Sequence, residues 1–285
     1  MPVARVFVTK TSMTPDDEYA YINCPPPLLA MPEDITEVHI SVTFTWDMPR
    51  AEWLARQWEA VGVPVKVGGP AYNLPGGEFI PGMYVRQGMT ITSRGCPNHC
   101  WFCAVPGREK GLRELPIMDG WNVLDDNLLA CSDEHIKAVF AMLSRQPERA
   151  EFTGGLEARI LKPWHADALS KLKPKRMYMA YDTPDDYEPL VEAGKLLRYA
   201  GISVSGHSMC CYCLIGYQGD TFERAEKRLS DTIRAGFMPY AMLYRGEDGS
   251  RNHDWARFQR EWLRPEIVGT KIREIWRGDQ DAEVH

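Results

Sequence analysis

The chain has 285 residues, enough for one large domain or for a large and a small one. Hydrophobic residues make up 44% and charged residues 25%, which are the proportions of a globular protein and exclude a fibrous or disordered chain. The net charge of -6 excludes a general electrostatic attraction to nucleic acid or to an anionic membrane.

The compartment can be predicted from the apolar runs and the cysteines. No stretch has the apolar length of a membrane span, and the N-terminus lacks the apolar run of a signal peptide. Eight cysteines, three of them between residues 96 and 103, fit a reducing compartment better than a disulfide framework. We therefore predict a cytoplasmic protein with no membrane partner.

Residues 1–86 predict a small α/β unit. Short runs rich in β-branched and aromatic residues predict strands at 5–8, 38–44 and 63–67. An amphipathic pattern over 50–60 predicts a helix between the last two strands. The unit is therefore expected to end in a strand-helix-strand arrangement.

From Met89 onward, strand patterns alternate with helix patterns. This alternation predicts an α/β fold in which parallel strands are joined by crossover helices. The predicted strands cover 89–92, 121–124, 150–153, 177–182, 211–216 and 238–245. The predicted helices cover 133–143, 184–200 and 221–235, the first with Ser132 as its N-cap.

Residues 251–285 predict a helical tail. Trp255, Phe258 and Trp262 follow one another at helical spacing, which is typical of a helix face that packs on a core. A partner-binding role for this apolar stripe is the alternative. A helical cap over the body of the protein would fit the first interpretation.

Three cysteines, Cys96, Cys100 and Cys103, follow the strand at 89–92 with the spacing C-x3-C-x2-C. Cysteine sulfur is the usual ligand of iron-sulfur clusters, and thiolates this close in sequence can converge on one soft metal centre. Three ligands would leave one iron of a four-iron cluster open to a substrate or cofactor. A structural zinc site is the alternative, but its fourth ligand would have to be His99, which lies inside the loop.

The cysteine spacing, with Gly95 before the first cysteine and Phe102 before the third, resembles the radical S-adenosylmethionine (radical SAM) enzymes. The resemblance implies a partial (β/α)6 TIM-like barrel over residues 87–250, with a [4Fe-4S] cluster on the three cysteines. It also implies that the reduced cluster splits S-adenosylmethionine and that the resulting radical takes a hydrogen atom from a substrate. A reductant such as flavodoxin or ferredoxin is implied as a partner.

Other segments resemble the family's S-adenosylmethionine contacts. Gly154 and Gly155 resemble the G-G-E motif, whose exposed backbone meets the methionine amino group, although Leu156 moves the acid one position on, to Glu157. A plain turn between a strand and a helix is the alternative for the two glycines.

The rest of the cofactor site implied by the resemblance is spread over four segments. Phe102 would lie against the cluster and the adenine, and Tyr181 and Asp182 would contact the ribose. For Asp182, a helix N-cap is an equally open interpretation. Ser205 lies in a stretch that approximates the family's adenine motif, and Ile215 begins a loop, I-G-Y-Q-G-D-T, that should pack near the adenine.

Four residues are candidates for the chemistry on the substrate. Cys211 and Cys213 point to the same side of one strand, so they could pack in the core, bind a second cluster or donate a hydrogen atom to a substrate radical. Tyr244 and Arg245 end the last strand, where Arg245 could make a two-point contact with a substrate anion.

The N-terminal unit resembles the half-domain that precedes the barrel in the cobalamin-binding branch of radical SAM enzymes. That branch commonly supplies a cobalt ligand from a D-x-H-x-x-G loop, and no such run occurs in this sequence. We therefore interpret the unit as a remnant scaffold and predict that the protein does not bind cobalamin.

Two functions remain open at the level of sequence. The first is a radical SAM enzyme acting on a small or nucleotide-like substrate, and a resemblance to radical SAM proteins of phages and prophages suggests nucleobase modification. The second is an iron-sulfur electron carrier or redox sensor without S-adenosylmethionine chemistry. The glycine-containing loops after separate strands favour the first, because a carrier needs no cofactor cradle.

Overall fold

The computed structural model describes residues 2–27, 31–202 and 208–283, and within them the N-terminal region forms a four-stranded parallel sheet. Its strands are β1 (Val3–Phe7), β2 (Ala20–Ile22), β3 (Glu37–Ser41) and β4 (Val65–Gly68), in the order β2-β1-β3-β4. The three predicted strands are confirmed, and β2 was missed because only three residues carry its pattern. Helix α1 (Met48–Trp58) confirms the predicted helix and packs its apolar face on this sheet.

A short hairpin-like pairing frames the cysteine loop. Strand β5 (Met89–Thr90) is followed by β6 (Ser93–Arg94), and the loop, which contains helix α2 (Val105–Arg108), returns as β7 (Arg113–Glu114). Strands β6 and β7 pair antiparallel and close the base of the loop.

A second sheet follows, and all of its neighbouring strands are parallel. It adds to β5 the strands β8 (Asn122–Val123), β9 (Glu151–Phe152), β10 (Arg176–Ala180), β11 (Met209–Ile215) and β12 (Met238–Leu243). In the described residues the six strands lie in chain order, β5-β8-β9-β10-β11-β12. The predicted strands and the α/β class are therefore confirmed. Every strand of this sheet except β11 is shorter than predicted.

Helices connect most of these strands. They are α3 (Asp133–Leu143), α4 (Pro163–Leu172), α5 (Tyr187–Tyr199) and α6 (Phe222–Arg234). Helix α3 has the predicted bounds, and the side chain of Ser132 caps it by accepting a hydrogen bond from the backbone N–H of His135 (3.2 Å). Helix α4 was not predicted, because its buried face has only three residues and includes a histidine.

The C-terminal tail forms helices α7 (His253–Leu263) and α8 (Pro265–Glu283). Trp262 is fully buried, and Trp255 and Phe258 pack against the core of the second sheet. The apolar stripe is thus used for packing, as the first of the two interpretations expected. In the described part of the chain, no helix combines the length and the apolar composition that a membrane span requires.

The N-terminal sheet meets the second sheet through the loop that follows β12. The hydroxyl of Thr45 donates a hydrogen bond to the carbonyl oxygen of Glu247 (2.7 Å), and the guanidinium of Arg245 lies 5.5 Å from the ring centroid of Trp46. Gly249 adopts a φ of 70°, and a Cβ there would press on the Trp46 ring. The loops at the carboxyl ends of both sheets therefore contact each other.

A buried histidine closes the first turn of α4. His165 is fully buried, and its Nδ1 accepts a hydrogen bond from the backbone N–H of Lys162 (3.0 Å). Burial, and then the nearby Lys162 charge, lower the pKa of His165 from 6.5 to about 4. The folded protein thus holds this imidazole neutral at pH values where the unfolded chain would already be protonated.

We expect His165 to make the folded state less stable in acid. Above pH 6.5 the imidazole is neutral in both states and does not affect the free energy of unfolding. As the pH falls from 6.5 toward 4, the free energy of unfolding decreases by about 1.4 kcal/mol per pH unit at most, because only the unfolded chain takes up the proton. In His165→Gln, the amide oxygen can still accept the bond from Lys162 but does not titrate. Urea unfolding across this pH range should give a flatter pH dependence for the variant. Equal slopes for both proteins would contradict the assignment.

Candidate functional site

The polar turn after β8 fastens the cysteine loop to the second sheet. Asp125 is buried, and its carboxylate accepts hydrogen bonds from the backbone N–H of Thr92 (2.6 Å), the hydroxyl of Thr92 (2.6 Å) and the hydroxyl of Ser93 (2.7 Å). Asp126 accepts from the backbone N–H of Gly95 (2.8 Å) and from the guanidinium of Arg108 (3.0 Å). Two adjacent carboxylates therefore hold both the start of the loop and its helix α2.

Gly95 makes the sharp entry into the cysteine loop possible. Its φ is 87°, a conformation that favours glycine, and a Cβ would overlap the carbonyl group of Gly111 on the returning chain. The glycine that contributes to the radical SAM resemblance thus has a local steric reason to be there.

The three motif cysteines are free thiols at this loop. Cys100 and Cys103 are exposed and Cys96 is partly buried. Partial desolvation of the sulfur atoms, and then the neighbouring cysteines, raise the pKa values of Cys100 and Cys103, while the backbone N–H of Val105 acts in the opposite direction on Cys103. All three cysteines line one cleft, where a bound cation would stabilise them as thiolates.

Hydrogen-bond donors point at two of these sulfurs. Cys96 Sγ accepts from the backbone N–H of Asn98 and from the side-chain amide of Asn127, both at 3.4 Å. Cys103 Sγ accepts from the backbone N–H of Val105 (3.5 Å). Such donors suit thiolates that carry negative charge, so this donor set fits an iron-sulfur cluster.

Among the residues that the structure describes, no three His, Cys, Asp or Glu side chains converge closely enough to hold one metal ion. A cubane cluster has a different requirement, because its cysteines bind different iron atoms and stay further apart.

The two glycines after β9 lie directly beside this loop. A Cβ on Gly154 would overlap the backbone of Asp125, and Gly155 has a φ of 103°. Leu156 points into the hydrophobic core, where it is almost fully buried. Both glycines line the same cleft as the cysteines and add no side chain to it, so a ligand could approach their backbone closely.

Glu157 reaches the cysteine loop despite its displacement by one residue from the G-G-E pattern. Its carboxylate accepts hydrogen bonds from the side-chain amides of Asn98 and Asn127. Arg159 lies 3.8 Å away and is paired more closely with Asp186 (2.7 Å). The inserted leucine is accommodated in the core, so the acid keeps a place beside the cysteines.

Asp182 is partly buried and lies just beyond the carboxyl end of β10. Its carboxylate accepts a hydrogen bond from the backbone N–H of Leu214 (2.8 Å), and burial raises its pKa to about 6. The following helical turn is capped by Thr183, and Asp186 closes that cap. The helix-cap interpretation of Asp182 is therefore wrong, and its side chain instead ties β10 to β11.

These segments surround one cleft of about 560 Å³, within the size range of small-ligand sites. It brings together the following predicted residues: Cys96, Cys100, Phe102, Cys103, Gly154, Gly155, Glu157 and Asp182. Around the described cleft, carboxylates from Asp126, Glu157, Asp182 and Asp186 outnumber the single guanidinium of Arg159. The cleft is therefore acidic and suits a ligand with positive charge.

The structure puts four other predicted residues in the core rather than at the cleft. Tyr181 and Ile215 are buried in the hydrophobic core of the second sheet, and the Tyr181 hydroxyl lies 3.5 Å from Asp231. Cys211 and Cys213 are fully buried in the same core, with Cys213 Sγ 3.2 Å from the hydroxyl of Thr232 on α6. This position favours the packing interpretation of the two cysteines.

The remaining predicted residues are at the rim or outside the described chain. The Tyr244 ring lies 5.8 Å from the ring of Trp101, and Arg245 lies over Trp46, so neither residue lines the cleft. Ser205 falls outside the described residues.

Sequence reasoning missed Asn98 and Asn127 as partners of the cysteine loop. The available signal was a polar run directly after a buried strand, next to the strand that carries the cysteines. That signal places the run at the site but does not say which molecule it contacts.

The fold and site define an α/β protein with an acidic, cysteine-bearing cleft at the carboxyl ends of parallel strands. Comparisons with protein-family models and with curated proteins found no match for this chain.

Proposed function

We propose that this protein is a radical SAM enzyme that holds a [4Fe-4S] cluster on Cys96, Cys100 and Cys103. The proposal depends above all on one observation, the meeting of three free thiols, the Gly154-Gly155 turn and Asp182 in one cleft. Parallel α/β folds build their active sites at this end of the strands. When bound and reduced, the cluster would supply the electron that breaks a carbon-sulfur bond of S-adenosylmethionine.

The acidic cleft supports S-adenosylmethionine as the second cofactor. That molecule carries a sulfonium and an ammonium group, and the cleft has four carboxylates against one guanidinium. The backbone at Gly154 and Gly155, with the Glu157 carboxylate beside it, would receive the ammonium group. Asp182 would orient the ribose. Binding the cofactor here would exclude water from the sulfur atoms of the loop.

A partial barrel is part of the same proposal. Six parallel strands in chain order, joined by helices, are the arrangement expected of a partial (β/α)6 barrel. The absence of disulfides among the eight cysteines supports a reducing, cytoplasmic setting, in which flavodoxin or ferredoxin would serve as the reductant.

An aromatic surface beside the cleft supports a small, ring-bearing substrate. Tyr178 and Tyr212 stack with their ring centroids 4.3 Å apart, and Tyr240 meets Tyr212 edge-on at 5.7 Å. Tyr212 lines the cleft, and Tyr240 is 39% exposed next to it. Stacked, partly exposed aromatic rings favour a planar ligand, so a nucleotide-like substrate is the class we propose.

The test is anaerobic reconstitution with iron and sulfide, followed by reduction and addition of S-adenosylmethionine. We expect the visible absorbance of a four-iron cluster and the release of 5'-deoxyadenosine. A cluster that forms but releases no 5'-deoxyadenosine, even with a panel of nucleosides and nucleotides, would favour the electron carrier instead. Failure to form any cluster would contradict both functions.

A further inference from the structure

Asn127 links the cysteine loop to the acid of the glycine turn. Its side-chain amide nitrogen lies 3.4 Å from Cys96 Sγ and 3.4 Å from a carboxylate oxygen of Glu157. The residue is only 4% exposed. A single amide group therefore donates toward two acceptors that belong to different segments of the site.

The orientation of this amide follows from its surroundings. With the amide reversed, its oxygen would face a sulfur and a carboxylate, and all three groups would repel one another. In the orientation described, the Oδ1 atom is buried and, within the described residues, has no hydrogen-bond partner. An unpaired buried oxygen destabilises the folded state, so the fold gives up stability to aim the amide nitrogen at Cys96 and Glu157.

We propose that Asn127 is a positioning residue that raises the reduction potential of the cluster. The inference rests on the proposed function, since it requires the cluster on Cys96. Reduction adds negative charge, and a donor directed at a ligating sulfur stabilises the reduced state more than the oxidised one. Asn127 would thus make the cluster easier to reduce while it holds Glu157 beside the loop.

Asn98 provides a matched control on the same two acceptors. Its side-chain amide also donates to Glu157, but its contact with Cys96 comes from the backbone N–H. Asn98→Ala therefore removes one amide from Glu157 and leaves both donors to Cys96 in place. Asn127→Ala removes one donor from each acceptor, and Asn127→Asp keeps the shape but replaces the donor with a charge.

The experiment is a redox titration of the reconstituted cluster, followed by electron paramagnetic resonance. We expect Asn127→Ala to shift the reduction equilibrium about tenfold toward the oxidised state, which for one electron is about 59 mV lower in potential. Asn127→Asp should shift it at least as far, and Asn98→Ala should stay close to the wild type. Iron content and the melting temperature of the metal-free proteins would report any general loss of structure.

The outcomes separate this inference from the proposed function. If the wild type forms no cluster, the proposed function fails. If the wild type and Asn127→Asp both bind a full cluster with equal potentials, the role of Asn127 is wrong and the proposed function stands. An equal drop in the reduction potential of the Asn98→Ala and Asn127→Ala clusters would also overturn the inference, because it would assign the effect to Glu157. If Asn127→Ala does not fold, the isosteric Asn127→Asp still decides the question.

Discussion

Replacing any one of Cys96, Cys100 and Cys103 with alanine is expected to abolish the cluster and the formation of 5'-deoxyadenosine. Each cysteine of a three-ligand site would bind a different iron, and the described cleft offers no spare cysteine to take its place. The loss should be nearly complete for each single variant. Iron and sulfide content, visible absorbance after reconstitution and 5'-deoxyadenosine release measure it.

Cys24→Ala is the matched control for these variants. Cys24 is a free, partly buried thiol that packs beside the core of the N-terminal sheet. Its replacement should leave the cluster content and the 5'-deoxyadenosine yield unchanged. A full cluster in Cys100→Ala would show that the ligand assignment is wrong, and loss of the cluster in Cys24→Ala would show that the assay reports folding.

Much of the fold could be predicted because its signals are local. The helix at 133–143 has a strong apolar face, an N-cap and acids in its first turn, so its bounds match those of α3. The strands at 38–44 and 238–245 were predicted correctly because β-branched or aromatic residues mark them. Helix α4 has a weak apolar face, with His165 as one of its three buried residues, and local pattern alone could not identify it.

The face of a strand is harder to predict than the strand itself. Alternation correctly put Cys211 and Cys213 on one side of β11, but it could not say which side faces the helices. The structure buries both in the core, with Cys213 against Thr232 of α6, and Tyr212, the residue between them, lines the cleft. Tyr181 and Asp182, which directly follow β10, separate in the same way, one into the core and the other to the cleft.

The partners of the polar turn after β8 could not be predicted from sequence either. Its contacts with the cysteine loop join residues about 30 positions apart, so they depend on how the strands are ordered in the sheet. With the strand order known, the turn is a support for the cysteines. The strength of that support can be tested at Asp125.

Asp125→Ala is expected to destabilise the protein strongly and to prevent cluster assembly. The substitution leaves the backbone N–H of Thr92 and the hydroxyls of Thr92 and Ser93 without their shared acceptor in a buried environment. Because unpaired buried donors cost about 1–3 kcal/mol each, the free energy of unfolding should fall by about 3 kcal/mol or more. Urea unfolding of the metal-free protein measures this loss.

Asp125→Asn separates the hydrogen bonds from the charge. The amide oxygen can keep the bond from the Thr92 N–H, and the two hydroxyls can rotate to accept from the amide nitrogen. Since burial already raises the pKa of Asp125, removing its charge also removes a desolvation cost. We therefore expect the free energy of unfolding to fall by about half as much as in Asp125→Ala or less, with most of the cluster retained.

Asp167→Ala, at an exposed position on α4, should change the free energy of unfolding by no more than about 0.5 kcal/mol. If Asp125→Ala were as stable as the Asp167 control and bound a full cluster, the turn after β8 would not be what holds the cysteine loop in place.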